Sequence, residues 1–462
     1  MTVSAIRTRP LSIPDLRSAV QGQVLAPGDP DYDRHRNAMS GEFDRHPAVI
    51  VRATDSADVI AAVAEARETG LDLAVRSGGH SGAGHSTTEG GILLDLAGLD
   101  SLDIDAAAQT AWAGSGLTAG AVTSATAEHG LAVPFGDTGS VGIGGLTTGG
   151  GIGYLVRKYG MTIDSLLAAD IVTADGQVLR VDEQHHPDLF WAIRGGGGNF
   201  GVAIRFQFRL RELPGIVGGM LILPATADTI AGFVAAAEAA PEEVSGIANV
   251  MPAPPMPFLA EEHHGKLVIF SQLAYAGDDV EAGERALAPF RALATPLADL
   301  MKPMSYPELF PPEDDSYHPT AVARILFLDK VDRGVAETIL EHLNAIDAPM
   351  RVAQLRVLGG AMSRVASDAT AFAHRRIRIM AALAAFYEGP EDRVKKQAWL
   401  DRFFEAMHQG DEGAYVNFVN DEGPERVRAA YPGATWDRLA EIKGRYDPTN
   451  LFHVNHNIPP TT

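Results

Sequence analysis

The sequence predicts an α+β fold in two parts, and three observations point to it. A strand–helix–strand unit near the N-terminus runs into a glycine-rich turn, Arg76-Ser77-Gly78-Gly79-His80-Ser81, with one imidazole at its end. Gly136 opens a second such loop, Gly136-Asp137-Thr138-Gly139-Ser140-Val141-Gly142-Ile143-Gly144-Gly145. Beyond Leu213-Pro214-Gly215 the glycine loops stop, and alanine-rich helical stretches alternate with strands, a pattern of helices segregated against a sheet.

The elements follow in order. Val49 to Arg52 is an apolar strand, and Asp55-Ser56 caps a helix whose apolar face holds Val59, Ile60 and Val63. Gly70 ends that helix and Leu71 to Val75 is the next strand. Ile92 to Leu96 is a further strand, and Thr118 to His129 a helix stopped by Gly130. Ala168 to Thr173 and Gln177 to Val181 flank Asp175-Gly176, a hairpin signal. His186 to Arg194 reads as a short helix. Gly195-Gly196-Gly197-Gly198-Asn199-Phe200-Gly201 then turns into the alternating strand Val202 to Leu210. In the second part, Thr226 to Ala239, Val280 to Ala292 and Gly334 to Ala345 read as helices. Leu267 to Leu273, Ala321 to Phe327 and Ile377 to Leu383 read as strands, and Pro252 to Pro257 and Pro311 to Ser316 as loops. Tyr446 to Pro460, rich in Asn, Pro and aromatics, reads as an extended strap. The expected division is a cofactor part at 1–214, a substrate part at 215–440 and a returning strap at 441–462.

Composition narrows the function. The 462 residues hold 46% apolar and 21% charged side chains, as in a globular chain with a large core. Lysine and arginine number 38 against 59 aspartates and glutamates, a net charge of −21. That balance argues against nucleic acid or an anionic membrane as partner. There is no cysteine, which excludes disulfides, thiolate metal sites and cysteine nucleophiles. Met1 to Val20 lacks the apolar core of a secretory signal, so a cytoplasmic location is expected.

The first turn can offer several backbone N–H groups to a pyrophosphate, and its glycines let a ligand approach the backbone. It is not a G-x-G-x-x-G turn opening a helix, and no Gly-Lys-Ser/Thr follows, which disfavours Rossmann and Walker sites. No H-E-x-x-H or G-x-S-x-G is present. His263-His264 and His185-His186 lack metal-ligand spacing, so no metal is expected. His374-Arg375-Arg376 opens a strand and reads as edge charges or an anion contact.

Five motifs occur in one order. They are the two loops above; Gly149-Gly150-Gly151-Ile152-Gly153 with Arg157-Lys158-Tyr159-Gly160; Phe190-Trp191-Ala192-Ile193-Arg194-Gly195-Gly196-Gly197; and Tyr446-Asp447-Pro448-Thr449-Asn450-Leu451-Phe452 with Asn455 and Asn457. Together they resemble the FAD-linked oxidases of vanillyl-alcohol-oxidase type, in the berberine-bridge-enzyme-like branch, over about Arg36 to Pro460. The overall pattern is similar to bacterial 6-hydroxynicotine oxidases and actinobacterial biosynthetic flavoenzymes. The resemblance implies a two-part FAD-binding domain of PCMH type, and a substrate domain whose antiparallel sheet is covered by helices. It implies FAD bonded through its 8α carbon to His80. Many relatives add a cysteine link where Thr138 stands. This chain can therefore form only the one bond.

The resemblance also assigns the remaining site residues. Arg76, Ser77, Gly78, Gly79, Ser81, Gly136, Thr138, Gly139, Val141, Gly142, Gly144, Gly145, Leu146, Gly150, Gly153, Val202, Asn455 and Asn457 would line the cofactor. Leu146, with Val141, would lie near the flavin C4a region, which leaves open whether O2 or another acceptor reoxidises it. Tyr415 is the candidate base or orienting hydroxyl, with Asn417 beside it in a Y-x-N segment. Where some relatives place another tyrosine, or a Glu or Gln, this chain has Phe418 and the apolar Ile379 to Leu383. The expected reaction is oxidation of a C–H next to oxygen or nitrogen in a small molecule, by a monomer or homodimer without nucleic acid or membrane. A carbohydrate oxidase, an oxygen-insensitive dehydrogenase and a non-catalytic flavin carrier are the alternatives.

Overall fold

A computed structural model describes residues 9–310 and 317–461. The expected loop Pro311 to Ser316 and the first eight residues of the Met1 to Val20 segment lie outside the described residues. The fold is α+β, as expected. Its first sheet orders Gln23–Leu25, Val49–Arg52, Ile92–Asp95 and Leu73–Arg76. The last three of these strands pair in parallel. The helix Ser56–Thr69 supplies the crossover. The Asp55 carboxylate accepts its first-turn N–H from Asp58, and Gly70 ends it at φ +72°, a left-handed conformation. The strand Leu73–Arg76 delivers the His80 turn at its C-terminal end.

The second sheet is antiparallel, ordered Leu102–Asp105, Thr110–Gly114, Val202–Arg209, Leu166–Val172 and Val178–Asp182. Asp175-Gly176 makes the expected hairpin between its last two strands. The helices Ala119–Ala127, Ile143–Gly149 and Pro187–Ala192 contribute to its core.

The third sheet has eight strands and is antiparallel. Its centre orders Ile216–Pro224, Leu267–Tyr275, Val244–Pro252, Arg351–Val357, Ile379–Phe386 and Ala321–Leu328. Alternation divides each strand between two faces. Leu221, Val250, Ile269, Leu355, Leu383 and Leu326 pack beneath the helices Ala227–Ala239, Val280–Arg291, Arg333–Asn344 and Gly389–Met407. The opposite face carries Phe327, Met380, Arg356, Ile247 and Gln272 in one cross-strand row. That face meets the glycine loops of the first part through Ile152, Met161, Ile163 and Tyr415.

Several elements depart from expectation. The strands Ile216–Pro224, Val244–Pro252 and Arg351–Val357 and the helices Gly389–Met407 and Ala434–Tyr446 were not anticipated. The strand expected from Ile377 begins at Ile379, and Tyr446 ends a helix rather than opening the strap. The division expected at 440/441 falls inside Ala434–Tyr446. The chain joins the core of the second sheet earlier, from Ala414 onward, through Val416, Val419, Val427, Tyr431 and Leu439.

Candidate active site

The two glycine loops lie against each other. A Cβ on Gly78 would strike the backbone of Gly142, and one on Gly142 would strike Gly78. Ser77 Oγ fixes the contact by donating to Ser115 O at 2.6 Å and accepting from Gly144 N–H at 3.2 Å. Gly144 is also confined, since its Cβ would press on Ser77 at 2.9 Å. Arg76 does not point into the loop. Its guanidinium pairs with Asp95 at 2.9 Å and donates to the carbonyls of Asn37 and His35, so it anchors the turn from behind.

Between these loops lies a polar cradle. The N–H groups of Gly78, Gly79, His80 and Ser81, and of Thr138 through Val141, find no protein acceptor among the described residues. Gly79 takes φ +78°, which turns successive N–H groups to one side. Gly145 is exposed, with no atom within 4 Å of the Cβ it lacks. The Oγ1 of Thr147 and the Oδ1 atoms of Asn455 and Asn457 are buried without partners. The amide of Asn455 donates to Phe452 O at 3.0 Å and Gly198 O at 3.3 Å, which leaves its oxygen turned away from the strap. Unpaired donors in two loops, buried orphan acceptors and an open glycine surface fit a long polar ligand such as a dinucleotide.

His80 is half-buried at the mouth of this cradle. Desolvation alone lowers its pKa, so the imidazole is neutral at neutral pH with its lone pair free. Ser81 Oγ accepts from His85 N–H at 3.2 Å, which shapes the following turn.

Several other residues expected along the cofactor also pack within the protein core. Leu146 is buried, with one methyl 3.0 Å from where a Gly136 Cβ would stand. It therefore fills the space that Gly136 leaves. Gly150 makes room for the Tyr415 ring and Met161, and Gly153 for the backbone of Phe135 and Gly136. The side chain of Val202 packs with Val172 and Phe452. Val141 is partly buried on the second-sheet core, and Gly139 accepts from Gly120 N–H at 2.8 Å.

Tyr415 is 1% exposed. Its hydroxyl oxygen accepts from Gly151 N–H at 2.7 Å and from Asn417 Nδ2 at 2.9 Å. Asn417 also donates to Leu146 O at 3.1 Å. Burial pushes the phenol up to about 12, the opposite of what a base near neutral pH requires. Of the two roles expected for Tyr415, this environment suits the orienting hydroxyl. His374, Arg375 and Arg376 do not form a charged strand edge. Arg375 is fully buried and bidentate on Asp164, at 2.8 and 2.9 Å.

A polar group escaped the sequence reading. Asp137 of the second loop pairs with Arg356 at 2.6 Å. Gln354 and Asn249 continue the contact along the inner sheet face. The signal was present as alternation in Arg351–Val357, where Gln354 and Arg356 fall on the face opposite Ala353, Leu355 and Val357.

The comparisons agree with this geometry. Residues 47–182 match a family described as FAD binding domain, and residues 414–459 one described as berberine and berberine like. The chain is 29% identical over 453 residues to (R)-6-hydroxynicotine oxidase of Paenarthrobacter nicotinovorans, covering 96% of this chain and 97% of that protein. It is 31% identical to an uncharacterized FAD-linked oxidoreductase of Bacillus subtilis, covering 95% and 98%. The crystal structure of 6-hydroxy-D-nicotine oxidase from Arthrobacter nicotinovorans superposes with a TM-score of 0.86 at 27% identity, over 96% and 98% of the two chains. With two glycine loops forming a dinucleotide cradle, and relatives matched nearly end to end, the chain belongs to the berberine-bridge-enzyme-like family of FAD-linked oxidoreductases.

Proposed function

We propose that this protein is an FAD-dependent oxidase that holds its flavin by a single bond from His80 and oxidises a C–H next to oxygen or nitrogen in a small organic molecule. The observation that carries the single bond is the state of His80 in a chain without cysteine. Its imidazole is neutral, half-buried and beside a cradle of unpaired N–H groups. The neutral ring nitrogen is the nucleophilic form that a bond to the flavin 8α carbon requires. Thr138, with no thiol, offers no second bond.

Bound in this cradle, FAD would supply the two-electron acceptor for a hydride, with O2 as the proposed final oxidant. The protein's residues hold and orient. Ser77, Gly78 and Gly142 fix the two loops against each other, and the unpaired N–H groups of both loops would receive the pyrophosphate and ribityl oxygens. Asn455 and Asn457 present their buried oxygens from the strap. Tyr415 and Asn417 lock the backbone at Gly151 and Leu146 beneath the cradle. Similarity to (R)-6-hydroxynicotine oxidase makes a nitrogen-bearing ring compound the first donor to test.

Acid precipitation of the purified protein tests the bond. Yellow colour is expected to stay with the pellet, and His80→Ala is expected to release it to the supernatant. Wild-type flavin that washes away would sink the covalent reading. Peroxide release with (R)-6-hydroxynicotine and with xylobiose then separates an amine from a sugar donor. A flavin reduced anaerobically that stays bleached in air would show a dehydrogenase.

A further inference from the structure

We propose that Asp137 is the hydrogen-bond acceptor that meets the substrate, oriented by Arg356, and that the pair selects a neutral molecule with adjacent donor and acceptor groups. A vicinal diol or a hydroxy-carbonyl ring has that pattern. The inference rests on the oxidase reading above.

Asp137 stands between Gly136 and Thr138 in the second glycine loop, at the junction with the inner face of the substrate sheet. One carboxylate oxygen, Oδ2, accepts from Arg356 Nη2 at 2.6 Å. No hydrogen bond to Oδ1 occurs among the described residues, and the Asp137 side chain keeps 19% of its surface exposed. The Arg356 side chain is only 5% exposed, and its Nη1 is buried with no partner. A partly exposed acceptor without a partner and a buried donor without a partner therefore lie on the two sides of one ion pair.

The pair is held by a relay. Arg356 Nε and Nη2 donate to Gln354 Oε1 at 2.9 and 2.7 Å. Gln354 Nε2 donates to Asn249 Oδ1 at 2.8 Å, and Asn249 Nδ2 to Phe270 O at 3.2 Å. The chain of bonds ends on a backbone carbonyl, so each side chain has one orientation. Gln272 lies in the same cross-strand row as Arg356, with Ile247 between them, and its Oε1 is buried without a partner. The Tyr306 hydroxyl is likewise buried and unpartnered.

The surroundings set the charge preference. Burial, and then the Asp137 charge, raise the phenols of Tyr154 and Tyr306, which stay neutral. With Arg356 compensating Asp137, the wall has no net charge. An anion would meet the carboxylate and a cation the guanidinium, whereas a neutral donor–acceptor pair matches both unpartnered groups. A plain interdomain ion pair would need neither the relay nor the unpaired Nη1, Oε1 and hydroxyl around it.

The test uses purified holoprotein and three probes: catechol, benzoate and benzylammonium. Binding is read from the change in the oxidised flavin spectrum, so no turnover is required. Catechol is expected to bind saturably and at least ten-fold more tightly than either ion. Asp137→Asn is expected to weaken catechol at least ten-fold while retaining flavin. If Asp137→Asn does not fold, the double variant Asp137→Asn/Arg356→Met removes both charges, leaves neither stranded, and takes its place. Unchanged catechol affinity in the variant overturns the proposal. So does tighter benzoate or benzylammonium binding, or no response of the wild type to catechol. Acid precipitation reports separately on the flavin bond. Yellow, precipitable protein that ignores catechol sinks this inference alone.

Discussion

At the scale of single residues, environment decides what a motif residue does. The Y-x-N segment was visible in the sequence, and its tyrosine was a candidate base or orienting hydroxyl. A phenol works as a base only when something lowers its pKa. Around Tyr415 burial does the reverse, and both nearby N–H groups donate to its oxygen. Replacing it by Phe would strand the Gly151 N–H and one Asn417 donor. A buried donor left unpaired costs about 1–3 kcal/mol. Tyr415→Phe is therefore expected to unfold at lower urea, by about that amount, while any activity keeps its wild-type pH profile. An activity loss that follows a tyrosine-like titration, with stability unchanged, would restore Tyr415 as the base. Asp137 teaches the converse. It sits within a glycine loop, and nothing local marks a loop carboxylate as the partner of an arginine 219 positions away.

At the scale of elements, legibility followed local chemistry. Ser56–Thr69, Ala227–Ala239 and Arg333–Asn344 were readable because Asp55, Thr226 and Asp332 cap them. Gly389–Met407 has no side-chain cap, and its apolar face of Trp399, Leu400, Phe403 and Phe404 is diluted by charge. The terminal strap was readable as a strap, but its fastening was not. Asn199 holds it from both sides, donating to His456 O at 3.1 Å and accepting from Ile458 N–H at 2.9 Å. The His456 ring meets the His85 ring edge-on, with centroids 4.7 Å apart. Desolvation lowers His85 to about 3 and His456 to about 4. The neighbouring His456 ring and then Arg45 lower the first further, while the Val419 backbone and then Asp421 oppose the shift of the second. Both folded values lie below the ordinary 6.5 of an unfolded chain. The stability they contribute is therefore present above pH 6.5 and is lost as pH falls from there toward 4 for His456 and toward 3 for His85. The slope is at most about 1.4 kcal/mol per pH unit for each ring. Urea unfolding at pH 7 and pH 5 should show this loss, and His456→Gln should reduce it. An identical pH slope in the variant would show that the ring pair is not its source.

At the scale of the whole molecule, buried guanidinium groups join the two halves. Arg375, just before the third-sheet strand Ile379–Phe386, is bidentate on Asp164, just before the second-sheet strand Leu166–Val172. Arg157 reaches the other way. It donates to Ala237 O at 2.7 Å, Val244 O at 2.9 Å and Ala240 O at 3.0 Å. These carbonyls lie at and just beyond the C-terminal end of the helix Ala227–Ala239, which has no basic residue in its last turn. A helix end leaves carbonyls unsatisfied and favours a positive charge. Here the neighbouring part supplies that charge. Arg157 was visible as part of a motif, but its partners lie some 80 positions further along the chain, out of reach of any local pattern. Arg157→Met keeps the aliphatic stem and removes the donors. The loss expected is about 1.5–3 kcal/mol, the scale of hydrogen bonds from a charged group. Because the lost bonds cross to the third sheet and its helices, calorimetry should show that sheet melting before the rest of the chain. Under the single-bond proposal, flavin should stay with the acid-precipitated variant, since Arg157 does not touch the His80 turn. A single transition at the wild-type temperature would mean that Arg157 does not hold the halves together.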